Sequence, residues 1–329
     1  MDDALVIGGT RFIGRHLVDE LRAQDYDVTI YTRGRHENPF VDDPAVDHVT
    51  GDRTDDQDLE AAAKAVGPDA VFDVVAYHPE SVEAATRIFA DVEAYVYVSS
   101  GAAYATEDLP KREGETELKE CTAEQAEDDG PATYGNRKAE GDRVVARATE
   151  QGVPAMAVRP PVVYGPHDYT ERLDYWLDRI ASFDRIVVPG DGTNLWQRAY
   201  VEDVARGLRV VAERGDPGEA YNVGDRNAVT LDRTIELAAA AMDEPVEIVH
   251  ASDRELSIAG LETTDFPLYR PYPHLLSTAK LAELGWDSTP VEAAMARTVE
   301  DHLESDRDGR TEGPDRSTEE RVLDVLGTV

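Results

Sequence analysis

The chain has 329 residues, of which 41% are hydrophobic, enough for one large α/β domain with an added lobe or for two domains. It lacks the run of roughly 18 apolar residues that crosses a membrane, its first residues are acidic, unlike a signal peptide, and its single cysteine, Cys121, excludes an internal disulfide and fits a cytoplasmic location. The formal net charge of −35 argues against binding to nucleic acid, because a strongly negative surface repels the phosphate backbone.

Apolar runs of strand length alternate with helical patterns through the first half of the chain. Strands are predicted at residues 4–8, 28–31, 46–50, 70–76, 94–99 and 155–159. Helices are predicted at residues 13–23, 59–66, 81–90 and 133–150. This alternation is typical of an α/β fold and predicts a Rossmann-like, doubly wound parallel sheet with helices on both faces.

The second half follows a looser pattern. Helices are predicted there at residues 168–180, 201–212, 230–242 and 278–284. We expect a first domain over residues 1–165, to which 198–224 returns, and a smaller C-terminal substrate lobe made of 166–197 and 225–304. Residues 305–329 form an acidic tail whose composition predicts partial disorder, with a helical pattern at 318–326. The acidic stretch 106–130 has the length of a lid and the composition of a solvated loop.

The segment V-I-G-G-T-R-F-I-G, residues 6–14, lies between the first predicted strand and the first helix. Gly8 and Gly9 allow a tight turn and a close approach of the backbone, and Gly14 allows the helix to pack on the strand. The helix N-terminus then points its N–H groups at a pyrophosphate. Residues 1–165 are therefore predicted to bind a dinucleotide through the loop residues Gly8, Gly9, Thr10, Arg11, Phe12, Ile13 and Gly14.

Cations lie where the adenosine ribose of that dinucleotide is expected. NAD-binding units carry an acid at the end of the second strand, but this chain has Thr32, Arg33 and Arg35 there. Together with Arg11 these arginines can clamp a 2′-phosphate, which favours NADP(H) over NAD(H). The alternative is that Arg11 points into solvent and Arg33 only ends the strand. Asp52, after the third strand, is expected near the adenine amino group.

A Tyr-x-x-x-Lys motif, Tyr134 to Lys138, opens the long helix after the fifth strand. Further motifs surround it: Y-V-S-S-G-A-A-Y (97–104), R-P-P-V-V-Y-G-P (159–166), P-G-D-G (189–192), R-A-Y-V-E-D-V-A (198–205), Y-N-V-G (221–224) and S-T-A-K-L-A-E-L-G-W (277–286). In this order and spacing the chain resembles the extended short-chain dehydrogenase/reductases, namely the NAD-dependent epimerase/dehydratase family of nucleotide-sugar enzymes. Its G-G-T-R-F-I-G and T-R-G segments resemble an atypical branch that includes chloroplast stem-loop-binding proteins, and its acidic profile resembles proteins of salt-loving archaea.

The resemblance implies a set of site residues. Tyr134 would be the catalytic acid and base, Lys138 would stabilise its phenolate and hold the nicotinamide ribose, and Ser100 would hydrogen-bond the same substrate oxygen. Further residues would line the nicotinamide: Ala76, Tyr77, Pro160 and Val162. The nucleotide-sugar substrate would contact Ser100 and two further residues, His78 and Arg198, for which a packed histidine and a surface arginine are the alternatives.

The motifs leave three functions open. The eight histidines show no metal-binding spacing, so no metal is expected, and the G-x-S-x-G motif of many hydrolases is absent. Dehydratases of the family carry Asp-Glu where this chain has Gly101 and Ala102, which disfavours dehydration. The leading hypothesis is a UDP-sugar epimerase that oxidises C4 transiently. The alternatives are an NADP(H)-dependent reductase of a sugar or small carbonyl, and an RNA-binding relative without enzymatic activity.

The resemblance also implies a homodimer. Members of the family pair two helices of each subunit, which here begin near Ser81 and Thr133. The apolar residues that suit such pairing are Ala84, Ala85 and Ile88 on the first helix and Val144, Val145 and Ala148 on the second.

Overall fold

The computed structural model describes residues 1–327, which form two compact units. The first unit contains Met1–Val163, Ala199–Gly224 and Leu276–Ser288. The second contains Tyr164–Arg198, Asp225–Leu275 and the chain from Thr289 onward. Within residues 1–327, no helix combines the length and the apolar character that a membrane span requires.

A seven-stranded sheet forms the centre of the first unit. Its strands are β1 (Asp3–Ile7), β2 (Asp27–Thr32), β3 (Val46–Thr50), β4 (Ala70–Asp73), β5 (Ala94–Val98), β6 (Ala155–Arg159) and β10 (Ala220–Asn222). They lie side by side in the order β10-β6-β5-β4-β1-β2-β3, and every pair is parallel. This confirms the predicted Rossmann-like, doubly wound sheet. Of these seven strands, sequence patterning missed β10, because three residues are too few to show a periodicity.

Helices cover both faces of this sheet. Numbered along the whole chain, they are α1 (Phe12–Ala23), α2 (Asp56–Val66), α3 (Pro79–Ile88), α4 (Ala123–Glu127), α5 (Tyr134–Glu150), α7 (Val201–Arg214) and α10 (Ala279–Glu283). The α1 helix packs against α7, and α3 packs against α5. Leu59 of α2, Val82 of α3 and Val145 of α5 are buried against Ile7 and Tyr97 of the sheet in one apolar core.

The strand order reverses at β1, which pairs with β2 on one side and with β4 on the other. Connections that follow β1 and β4 therefore leave the sheet in opposite directions and open a crevice at its carboxyl edge. The glycine loop follows β1, and the segments after β4, β5 and β6 end at the same edge. The topology alone thus gathers most of the predicted site residues.

The second unit is built mainly from helices. They are α6 (Asp174–Ser182), α8 (Leu231–Met242), α9 (Asp253–Ile258), α11 (Val291–Leu303) and α12 (Arg316–Leu326). A parallel pair of strands, β8 (Arg185–Pro189) and β11 (Glu247–Ala251), accompanies them. Two short strands, β7 (Val162–Tyr164) and β9 (Arg198–Tyr200), form a further two-stranded sheet, and most of their residues belong to the first unit.

Two segments differ from expectation. Composition predicts partial disorder over 305–329, but the structure places Arg307 Nε 3.3 Å from Asp174 Oδ1 and Arg179 Nε 2.7 Å from Glu319 Oε1. The partners are buried acids and a buried arginine of the second unit, which composition cannot reveal.

The segment Leu276–Ser288 was expected in the substrate lobe and belongs instead to the first unit. It lies against β10, where the Asn222 side-chain amide donates to Ser277 O at 3.2 Å and Lys280 Nζ donates to Ala220 O at 3.0 Å. The edge strand that patterning missed is what holds the segment there.

Candidate active site

The glycine loop leads from β1 directly into α1. Gly8 has a φ of +99°, and a Cβ there would lie 2.5 Å from Val75 Cγ1, so only glycine fits. A Cβ on Gly14 would collide with the carbonyl oxygen of Gly8. Arg11 is exposed and immediately precedes α1, so its bulk does not fill the turn. The same turn and the start of the helix contain the other predicted loop residues, Gly9, Thr10, Phe12 and Ile13.

The end of β2 carries cations and a hydroxyl where NAD-binding units carry an acid. Thr32 Oγ1 lies 2.9 Å from His48 Nε2 of β3, and Arg33 and Arg35 are exposed beyond it. Asp52 accepts hydrogen bonds from the backbone N–H and the hydroxyl of Thr54, and both lower the pKa of its carboxyl. The charges of Arg33 and Arg35 lower this pKa further. The arginines and Asp52 therefore lie close enough to interact at this end of the crevice.

Lys138 is buried at the centre of the carboxyl edge, only 2% exposed. Its Nζ donates to the carbonyl oxygens of Ala76 and Val98, each at 2.8 Å, and lies 5.8 Å from the ring centroid of Tyr134. Burial lowers the pKa of Lys138 to about 7, although Asp73 and other charges act on it as well. The motif tyrosine, the first residue of α5, is half-buried beside it, one helical turn away.

The turn after β5 brings Ser100 to the same place. Ser100 Oγ accepts a hydrogen bond from Ala102 N at 3.2 Å and begins the short 3-10 helix Gly101–Ala103. Gly101 N donates to Pro160 O at 2.7 Å, which fixes this turn to the one after β6. The Ser100 turn and the predicted nicotinamide-lining residue Pro160 are thereby joined, and the short 3-10 helix also packs against α5. Val162, also predicted there, is buried two residues further on.

The segment after β4 contains Ala76, Tyr77 and His78. Ala76 holds Lys138 through its carbonyl, and the Tyr77 ring, 45% exposed, lies with its centroid 5.2 Å from Lys138 Nζ. His78 Nδ1 lies 2.9 Å from Ala126 O, and Nε2 lies 2.9 Å from Asp129 Oδ1. Both ring nitrogens of His78 thus contact the acidic insertion, and its role as a substrate contact stays a prediction.

Two buried carboxylates lie near Lys138, and the motif analysis missed both. Asp73 ends β4, is fully buried, and accepts a hydrogen bond from Arg53 Nη2 at 2.7 Å. Asp142 lies one turn after Lys138 on α5 and accepts from Arg159 Nε at 2.9 Å. Each carboxylate raises the pKa of Lys138 against the effect of burial. The four-residue spacing from Lys138 to Asp142 is a usable sequence signal, whereas Asp73 shows none.

The second unit contains the predicted substrate contact Arg198. It is 5% exposed, donates to Val229 O at 3.2 Å and to the Thr234 hydroxyl, and burial lowers its pKa. In the same unit the guanidinium carbon of Arg270 lies 5.7 Å from the centroid of the Trp196 ring. Among residues 1–327, no group of three histidine, cysteine or acidic side chains could hold a metal ion.

Comparison with known proteins identifies the family to which this chain belongs. The family model described as "NAD dependent epimerase/dehydratase family" matches residues 4–224. Because that match covers more than half of the chain, the chain belongs to this family.

Individual relatives extend the picture. The chain is 28% identical over 302 residues to the chloroplast stem-loop binding protein of 41 kDa b from Arabidopsis thaliana, covering 86% of this chain and 74% of that one. It spans only 30–31% of three trifunctional enzymes of the same plant, named for UDP-glucose 4,6-dehydratase, epimerase and reductase activities.

Two solved structures share the fold. The dTDP-glucose 4,6-dehydratase of Bacillus anthracis in complex with NAD has a TM-score of 0.74 at 19% identity, covering 93% of this chain and 98% of that one. The UDP-glucose 4-epimerase of Thermotoga maritima with UDP-glucose has a TM-score of 0.71 at 20% identity, covering 92% and 99%. At these identities the likeness establishes the fold and leaves the reaction to be argued from the residues.

Proposed function

We propose that this chain is an NAD(P)-dependent nucleotide-sugar epimerase of the extended short-chain dehydrogenase/reductase type, which acts on a UDP-sugar by transient oxidation at C4. The observation that carries the proposal is the assembly of Tyr134, Lys138 and the Ser100 turn at the carboxyl edge of the sheet, next to the glycine loop. The solved epimerase of the same fold, which binds UDP-glucose, supports the choice of substrate class.

The glycine loop fits a dinucleotide. The turn requires glycine at Gly8 and Gly14, because a side chain at either position would collide with neighbouring atoms. The Arg11 side chain makes no capping hydrogen bond at the start of α1, where backbone N–H groups suit a pyrophosphate. When bound, a nicotinamide cofactor exchanges hydride with a substrate carbon that bears a hydroxyl or carbonyl group. The residues expected to hold the cofactor are those that the sequence predicts in the glycine loop, at the end of β2 and in the segments after β4 and β6.

The chain's own residues manage the proton. Tyr134 would take the proton of the substrate hydroxyl during oxidation and return it during reduction. A charged Lys138 favours the phenolate form of Tyr134 by electrostatic attraction, and the Ser100 hydroxyl would hold the substrate oxygen in place. These steps require no further acid, and the turn after Ser100 contains none.

That turn argues against dehydration. Removal of water from a sugar needs its own acid and base, but the positions after Ser100 are Gly101 and Ala102, and both form a short 3-10 helix with no ionisable side chain. The dehydratases among the solved structures therefore support the fold and the cofactor class, and the residues favour a reaction in which oxidation is simply reversed.

A second candidate is a reductase that uses NADP(H). It is favoured by Arg33 and Arg35, which are exposed at the end of β2 where no acid stands, and by exposed Arg11. These cations suit a 2′-phosphate and make NADP(H) our proposed cofactor. An absorbance trace at 340 nm with a panel of UDP-sugars in molar KCl separates the two: product without net change supports the epimerase, and stoichiometric change supports the reductase.

An RNA-binding role, suggested by the chloroplast relative, is disfavoured by the net charge of −35. The same charge supports our proposal that the protein is adapted to high salt, as in salt-loving archaea, where screening reduces self-repulsion. The G-G-T-R-F-I-G and T-R-G segments support an atypical branch of the family. We further propose a cytoplasmic location, which the single cysteine supports. Retention of RNA in molar KCl would overturn the first of these statements.

We also propose a homodimer, with a narrower contact than the sequence suggests. Four of the six apolar residues expected at the interface, namely Ala85, Val144, Val145 and Ala148, are buried in the core of the first unit itself. Of the six residues, only Ala84 and Ile88 are partly exposed and available for contact with a second subunit. Light scattering in molar KCl tests the proposal, and a monomer would refute it.

A further inference from the structure

Three tyrosine rings surround the Lys138 ammonium. Its Nζ lies 4.9 Å from the ring centroid of Tyr97, 5.2 Å from that of Tyr77 and 5.8 Å from that of Tyr134. All three distances fall within the roughly 6 Å at which a cation is attracted by the face of an aromatic ring. A lysine that contacts one ring is common, whereas three rings about one buried ammonium make a cage.

The cage matters because Lys138 is almost completely shielded from water. Within the described chain, the hydrogen bonds of its Nζ go to the carbonyl oxygens of Ala76 and Val98, so no carboxylate is hydrogen-bonded to the ammonium. A buried ammonium without such a partner tends to lose its proton. Carbonyl dipoles and ring faces are then the direct contacts that oppose this loss.

Charged groups also face Lys138 from the elements around it. Asp73 at the end of β4 and Asp142 on α5 favour the ammonium, whereas Arg53 after β3 and Arg137 on α5 oppose it. The carboxylates are themselves engaged by arginines: Asp73 by Arg53, and Asp142 by a buried guanidinium of β6. Their attraction for the ammonium is therefore partly offset, and this increases the weight of the ring contacts.

Tyr97 and Tyr77 lie at the carboxyl ends of neighbouring strands, Tyr97 within β5 and Tyr77 in the segment after β4. Tyr97 belongs to β5, is 1% exposed, and precedes Val98, whose carbonyl accepts from Lys138. Tyr77 comes after β4 and follows Ala76, whose carbonyl also accepts from Lys138. Each of two neighbouring strand ends thus supplies one carbonyl and one ring to the same ammonium.

We propose that Tyr97 and Tyr77 are positioning residues that hold Lys138 in place and keep it protonated through the faces of their rings. The part of this inference that concerns catalysis rests on the proposed function, because there the charge of Lys138 supports Tyr134. The part that concerns the lysine itself does not, because it describes the chain before any ligand binds.

The test measures the pKa of Lys138 directly in the unliganded protein. The chain contains five lysines, so nitrogen-15 NMR resolves each side-chain ammonium, and a Lys138→Met variant identifies the signal. Tyr97→Leu and Tyr77→Leu remove a ring, whereas Tyr97→Phe and Tyr77→Phe keep the ring and remove only the hydroxyl. Tyr77 is partly exposed, so its variants serve even where Tyr97→Leu does not fold.

The expected result is a ring-dependent shift. Each leucine variant lowers the pKa of Lys138 by about one unit, the size that a desolvated ring contact implies, and each phenylalanine variant changes it by less than about 0.3 unit. A pKa that stays in place or rises in the leucine variants would overturn the proposal. So would phenylalanine variants that shift it as much as the leucine ones.

A second readout separates this inference from the proposed function. In turnover assays the alkaline limb of the pH profile of kcat/KM should move to lower pH in the leucine variants only. A shifted pKa of Lys138 in a protein that turns over no nucleotide sugar leaves the cage in place and refutes the function. Turnover with an unshifted pKa and an unmoved alkaline limb supports the function and refutes the cage.

Discussion

Gly135 lies directly against the carbonyl oxygen of Ala102, so close that a Cβ on Gly135 would collide with it. This contact presses the first turn of α5, which carries Tyr134, onto the turn that begins at Ser100. Alanine is the better residue within a helix by about 1 kcal/mol, so Gly135→Ala would stabilise the protein if the contact were absent. We expect it instead to lower both stability and kcat, measured by urea denaturation and turnover.

Gly207→Ala is the matched control for this substitution. Gly207 also lies within a helix, α7, but the atoms nearest to its Cβ position are side-chain ends at 3.2–3.5 Å, which can adjust. We expect little loss of stability and an unchanged kcat. If Gly135→Ala behaves like this control, the contact with Ala102 does not position Tyr134.

The arginines after β2 should determine the choice of cofactor. Replacing both Arg33 and Arg35 by serine removes charge-assisted contacts to a 2′-phosphate, so the Kd for NADPH should rise roughly tenfold or more. The Kd for NADH should change much less. Isothermal titration in constant KCl measures both, with Arg185→Ser, whose partner is Glu247 in the second unit, as control. Equal losses for both cofactors would contradict the assignment to NADP(H).

The buried Lys138 should make stability depend on pH. Its pKa is about 7 in the folded chain and about 10.4 in an unfolded one, so between these values the unfolded chain binds more protons. The free energy of unfolding therefore rises with pH by roughly 1.4 kcal/mol per unit on account of this group.

Lys138→Met removes that contribution. The difference in unfolding free energy between wild type and Lys138→Met should climb from about pH 7 to 10 and be flat below about pH 6. Urea denaturation across this range at fixed KCl measures it. A difference that stays constant throughout would show that Lys138 keeps an ordinary pKa.

The C-terminal helix should be fastened by one buried ion pair. Glu319 is 1% exposed and accepts a hydrogen bond from Arg179 Nε, so Glu319→Gln removes one of the two carboxylates that pair with this buried guanidinium, the other being Asp178, and should cost about 2–3 kcal/mol. Glu320→Gln, at an adjacent side chain that is 59% exposed, should change stability by less than about 0.5 kcal/mol. Similar small effects in both variants, by urea denaturation, would show that the pair contributes little.

The parts of the site that sequence could predict are those written into local patterns. The glycine loop is recognisable because a turn and a helix start that lie within seven residues leave no space for a side chain at Gly8 or Gly14. Tyr134 and Lys138 are recognisable because a spacing of four places them on one helix face. The order of strands and helices followed from periodicity in the same way, and the sheet confirms it.

The remainder depends on partners that are distant along the chain. Asp73 and Arg53 meet although β1 and β2 lie between β4 and β3 in the sheet, and the aromatic cage exists only because β4 and β5 are neighbours. The contacts of His78 with Ala126 and Asp129 likewise form only when folding brings these residues, distant along the chain, to its ring. No local pattern carries this information.

The most direct test of the site is the rate at which wild type and Tyr134→Phe interconvert UDP-sugars in molar KCl, followed by proton NMR with catalytic cofactor. We predict that wild type converts at least one sugar to its C4 epimer and that Tyr134→Phe does so at least about 100-fold more slowly, the usual contribution of a general acid–base, while still binding cofactor. Conversion by Tyr134→Phe at the wild-type rate, or no conversion by a wild type that binds both ligands, would contradict it.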